Sequence, residues 1–156
     1  MEVQKAEKSR LHRMSRVLLD TNVILDVLQH REPWCADGEK IFQAIAQKQI
    51  SGSITAKQAA DIYYFSRRQF LGEENADAKA RKVMSKLFYL FELTDSLGSD
   101  CLNALMLENN DYEDAMLITS AERAGMDYIV TRDPKHFKNS PVRTLSPKSF
   151  LKELGK

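Results

Sequence analysis

Val17-Leu18-Leu19-Asp20-Thr21-Asn22-Val23-Ile24-Leu25 decides how this chain is read. Val17-Leu18-Leu19 is a short apolar run, the pattern of a buried strand. Asp20 stands at its carboxyl end. Thr21-Asn22 then offers a cap to a helix whose apolar residues are Val23, Ile24, Leu25, Val27 and Leu28.

Working outward, Arg31-Glu32-Pro33 breaks that helix, and a second is expected over about 36–47 with Ile41, Phe42 and Ile45 on one face. Residues 50–55 read as a short strand containing Gly52. A helix follows over about 56–70, with Ala59, Ala60, Ile62, Tyr63 and Phe65 on a broad apolar face. Gly72 ends it, and further helices are expected over 75–87, 100–108 and 113–124, the last closed by Gly125. Strands are expected at 90–94, 128–131 and 142–145. Ser146-Pro147 opens a final helix carrying Phe150, Leu151 and Leu154. Strands alternating with helices imply an α/β fold with a central, mostly parallel sheet covered on both faces. In such sheets the site lies beyond the carboxyl ends of the strands.

The length of 156 residues suits one domain, expected over 15–156, after a flexible N-terminal extension at 1–14. Hydrophobic residues form 43% of the chain and charged residues 29%, a soluble, globular balance. The net charge of +1 announces no nucleic-acid partner by itself, although a local basic surface is compatible with it. No apolar run approaches the ~20 residues of a membrane span. The charged N-terminus lacks the apolar core of a secretory signal. A cytoplasmic protein without membrane contact is expected, with Cys35 and Cys101 as reduced, buried thiols.

Four acids stand where chemistry belongs. Asp20 and Asp133 each follow an expected strand, and Asp114 opens an expected helix. Asp61 interrupts Ala59-Ala60-Asp61-Ile62-Tyr63 in mid-helix, where no cap explains it. Each has a plain structural alternative: Asp20 as a helix cap, Asp133-Pro134 as a turn, Asp114 as a first-turn acid behind the better cap Asp111, and Asp61 facing solvent. If they converge, like charges repel and some protonate unless a divalent cation joins them. All-oxygen ligation with open positions suits magnesium or manganese. The three histidines, His12, His30 and His136, are scattered, and neither a zinc-type Cys/His cluster nor a histidine triad is present.

These stretches resemble one family. Leu18-Leu19-Asp20-Thr21-Asn22-Val23-Ile24-Leu25-Asp26 is similar to the opening motif of PIN domains. Residues 54–64 around Asp61 resemble the second block, where a Glu usually stands at the place of Asp61. Asp111-Tyr112-Glu113-Asp114-Ala115 and Ile129-Val130-Thr131-Arg132-Asp133 resemble the third and fourth. The resemblance spans about Arg16 to Leu154. It implies a three-layer α/β/α domain like flap-endonuclease cores, and a metal-dependent endoribonuclease of the VapC toxin type. It also implies a cognate antitoxin and a homodimer.

On that reading Asp20, Asp114 and Asp133 hold magnesium or manganese, and Asp61 orients the attacking water. In-line hydrolysis of RNA then leaves a 5′-phosphate and a 3′-hydroxyl. Thr21, Asn22, Asp111 and Thr131 are secondary candidates. Lys57, Arg67, Arg68, Arg132 and Lys135 are candidate phosphate contacts. Tyr63, Tyr64 and Trp34 are candidates for base or partner stacking. Asp61 is one methylene shorter than the usual Glu, and Lys135 and His136 stand where many members carry a further acid. The alternative is therefore a catalytically degenerate PIN domain that binds RNA or protein. A phosphoacceptor domain is disfavoured, because Asp20-Thr21-Asn22 lacks a second acid.

Overall fold

A computed structural model describes residues 13–155. The expected extension at 1–14 falls, except for its last two residues, outside the described residues. Arg13 pairs with Asp127 at 3.0 Å. The chain runs β1 (Ser15–Leu19), α1 (Thr21–Leu28), α2 (Cys35–Ala46), β2 (Ile50–Thr55), α3 (Ala56–Gln69), α4 (Ala76–Leu90) and β3 (Glu92–Thr94). It continues through α5 (Gly98–Met106), α6 (Tyr112–Arg123), β4 (Tyr128–Val130), a 3-10 turn (Pro134–Phe137), β5 (Arg143–Leu145) and α7 (Pro147–Leu154).

The five strands form one parallel sheet in the order β3-β2-β1-β4-β5. The strand β1 is central because its side chains are apolar on both faces, and the period of two splits them between the layers. Val17 and Leu19 join Ile24, Ile41, Ile62, Leu87 and Phe150 in a core beneath α1–α4 and α7. Leu18 points the other way, into a second core with Leu117, Ile118, Ala121 and Ile129 beneath α6. The architecture is thus the expected α/β/α sandwich.

Local chemistry explains most boundaries. Thr55 caps α3, its hydroxyl accepting the Gln58 N–H while Gln58 Oε1 accepts the Thr55 N–H, a reciprocal capping box. Gly52 is required in β2 because a Cβ there would stand 2.4 Å from Ile45 Cδ1, on α2. Residues 88–90 finish α4 and do not join β3, because Ala80, Met84 and Leu87 continue one buried helical stripe. Helix α5 starts ahead of residue 100, since the Asp100 carboxylate accepts the Leu97 N–H at 3.0 Å and closes that turn. Both cysteines are free; Cys35 is buried as expected, whereas Cys101 is only half-buried. No helix among the described residues is long and apolar enough to cross a membrane.

Candidate active site

The order of the strands reverses direction at β1, whose neighbours β2 and β4 carry chain to opposite sides. A cleft of about 530 Å³ opens at the carboxyl edge there, lined by residues from the ends of β1 and β2 and the starts of α3 and α6. Asp20, Asp61 and Asp114 all line it.

Asp20 occupies the cap position of α1 without making a side-chain cap hydrogen bond. Its backbone N–H is held by the Val130 carbonyl at 2.9 Å, tying the end of β1 to β4. The buried Thr131 hydroxyl donates to Asp20 Oδ2 at 2.8 Å. Burial raises the Asp20 pKa, and the Thr131 hydroxyl, nearby backbone amides and Arg132 oppose that rise.

Asp111 caps α6, its Oδ1 accepting the N–H groups of Glu113 and Asp114 at 2.9 and 3.1 Å. Asp114 is thereby free of capping and turned to the cleft, half-buried. Burial pushes its carboxyl up to about 6, with Asp111, Asp20 and Glu113 adding repulsion and His136 opposing it. Asp20 and Asp114 are therefore near enough to feel each other's charge.

Asp61 is also half-buried, but a lysine answers it. Lys57 Nζ lies 2.6 Å from Asp61 Oδ2, one helical turn away, and 2.7 Å from Glu113 Oε1 across the cleft. The Lys57 N–H donates to Ser96 Oγ at 3.1 Å. Gln58 is buried beside it and donates from Nε2 to the Leu19 carbonyl at 2.8 Å and toward Thr21 Oγ1 at 3.3 Å.

Asp133 is exposed and is not among the residues lining the cleft. Its backbone N–H donates to Thr131 Oγ1 at 3.4 Å. Thr21, Asn22 and Asp111 line the cleft, and Thr131 supports Asp20 from below. Of the expected phosphate contacts, only Lys57 lies within it. Arg67 and Arg68 are exposed on α3, and Arg68 lies over Tyr64. Arg132 pairs with buried Asp26 at 3.3 Å and lies 4.5 Å over the Trp34 ring. Lys135 lines a neighbouring, polar hollow with His136 and Lys138.

Three residues were missed from sequence. Gln58 reads there as an ordinary helix residue, although its place three after Thr55 signals a capping box. Glu113 is masked by its acidic neighbours. Asp26 is 2% exposed on the apolar side of α1, and its motif position was the only signal.

Among the described residues, no three His, Cys, Asp or Glu side chains gather closely enough to hold a metal ion by themselves. The donor chemistry of Asp20 and Asp114 nevertheless fits a hard divalent ion. Magnesium keeps several waters and takes one or two carboxylates, and these two are partly desolvated and mutually repelled.

A family profile described as PIN domain matches residues 16–135, and the chain belongs to that family. No curated protein matches the sequence. The fold is similar to FitAcB from Neisseria gonorrhoeae, with TM-score 0.67, 15% identity, and coverage of 85% of this chain and 98% of that one. It is similar to DNA-bound VapBC from Salmonella typhimurium, with TM-score 0.60, 16% identity, and coverage of 86% and 99%. It is also similar to Mycobacterium tuberculosis VapC20, a Sarcin-Ricin loop cleaving toxin, with TM-score 0.54, 11% identity, and coverage of 72% and 86%.

Proposed function

We propose that this PIN domain is a divalent-metal-dependent endoribonuclease, the toxin of a type II toxin–antitoxin pair, with Asp20 and Asp114 as its centre. The observation that carries this reading is the pair itself: two carboxylates at the switch point of the sheet, with Asp114 pushed up to about 6. Stability alone disfavours such a pair; a bound cation makes it useful. Family membership and likeness to toxin–antitoxin structures support the same conclusion.

Asp20 and Asp114 hold magnesium or manganese, which when bound supplies Lewis-acid activation of water and charge for the phosphoryl oxygens. Thr131 keeps Asp20 in place. Thr21 and Asn22, which line the cleft at the start of α1, are the candidates to hydrogen-bond the scissile phosphate. Asp133, exposed and not among the residues lining the cleft, is an outer residue in this scheme. The substrate is RNA. An antitoxin would cover the exposed aromatic rim of the cleft, Tyr64 and Phe65, and a second copy would cover Leu102, Leu105 and Met106 on α5.

The absence of a three-carboxylate cluster among the described residues favours a competing reading, a PIN fold kept as a binding module. One experiment separates them. Manganese is expected to raise the melting temperature of the wild type by mass action, and Asp20→Asn to abolish both that shift and cleavage of a structured RNA. A wild type that neither responds to manganese nor cuts RNA would leave only the binding module.

A further inference from the structure

Five carboxylates line the cleft: Asp20, Asp61, Asp111, Glu113 and Asp114. The cationic side chains lining it are Lys57 and Arg31, and Arg31 pairs with buried Asp26, at 3.7 Å. Lys57 alone is spent on the cleft's own acids. Its ammonium touches Asp61 from its own helix and Glu113 from the opposite wall, at 2.6 and 2.7 Å. The Ser96 hydroxyl accepts its backbone N–H and fixes where the side chain starts.

Resting on the Asp20–Asp114 reading, we propose that Lys57 is a built-in cation of the cleft, so that the centre takes one divalent ion and not two. Asp61 and Glu113 are the ligands of the ammonium. Asp61 is a positioning residue for Lys57, and the Lys57 ammonium offsets carboxylate charge that a second ion would otherwise have to neutralise. A lysine suits this role because its ammonium is a compact point charge that two oxygens contact at once.

The same geometry states what happens when the lysine goes. Two carboxylate oxygens stand within 2.7 Å of one point, the Nζ position. Hard divalent ions hold oxygen ligands at about 2.0–2.6 Å. Emptying that point leaves a second ion site that needs only a small inward shift of Asp61 and Glu113.

The test counts ions on the full-length chain, without RNA, by native mass spectrometry and calorimetric titration with manganese chloride. The wild type is expected to bind one ion, Lys57→Ala two, and Lys57→Arg one again. Asp61→Asn is expected to keep the single ion, while Asp20→Asn loses it. Circular dichroism and melting establish that each variant is folded; should Lys57→Ala fail to fold, Asp61→Asn still decides. Two ions on the wild type, one ion on folded Lys57→Ala, or loss of the ion in Asp61→Asn overturns the proposal. Those results leave the Asp20–Asp114 centre standing as long as Asp20→Asn abolishes binding. No ion on the wild type overturns the centre and this inference together.

Discussion

Replacing Asp114 with Asn is expected to make the metal-free protein more stable at neutral pH and no more stable at pH 4. The Asp114 pKa rises from 3.8 to about 6 on folding, chiefly through burial and then through Asp111 and Asp20. The folded state therefore binds the proton more tightly than the unfolded state between those values. Stability falls as pH climbs through that window, and the whole penalty is present above about pH 6. A rise of about two units corresponds to ~3 kcal/mol at most. Solvent screening of a half-buried group reduces this to roughly 1–2 kcal/mol. Loss of a first-turn acid at a helix N-terminus takes back about 0.5 kcal/mol. The net gain of ~1 kcal/mol corresponds to about 2–4 °C in a domain of this size. Thermal melts of both proteins in chelator at pH 4.0, 5.5 and 7.5 read it directly. Equal gains at every pH, or a loss at pH 7.5, would refute the electrostatic argument. Manganese should reverse the ranking, because it stabilises only the protein that retains the carboxylate.

Other substitutions probe the supports of the site. Thr131→Val strips the hydroxyl from Asp20 Oδ2 in a fully buried position and should cost about 1–2 kcal/mol, with weaker manganese binding by calorimetry. Asp100 is 1% exposed and accepts from Arg123 Nε at 2.7 Å and Ser120 Oγ at 3.0 Å; Arg123 holds its pKa down. Asp100→Ala strips Arg123 of its carboxylate partner and leaves only its bond to the Asp95 carbonyl, and should cost about 1–3 kcal/mol in urea unfolding. In the wild type, the stability from that pair is present above the usual carboxylate range and is lost as pH falls through the lowered pKa. Gly52→Ala drives a methyl group into Ile45 and Phe91 and should destabilise by about 1–3 kcal/mol, with no change in manganese affinity per folded molecule.

Sequence alone determined the alternation of elements, because each depends on neighbours within a few residues: the Val17–Leu19 run, the Ser146-Pro147 start of α7, and Gly125 after α6. It also placed Asp20 at the end of β1, which is local, and so pointed to the carboxyl edge of the sheet. Convergence is not local. Which acids share the cleft depends on β1 lying between β2 and β4, and on how α3 and α6 face one another across it. Only the tertiary structure seats Asp114 beside Asp20, leaves the Asp133 side chain outside, and sets Lys57 between Asp61 and Glu113. Burial is decided at the same level, since desolvation depends on every packed layer. The raised Asp114 carboxyl, the enclosed Asp26 and the paired Asp100 are therefore properties of the assembled sandwich, and no window of residues carries them.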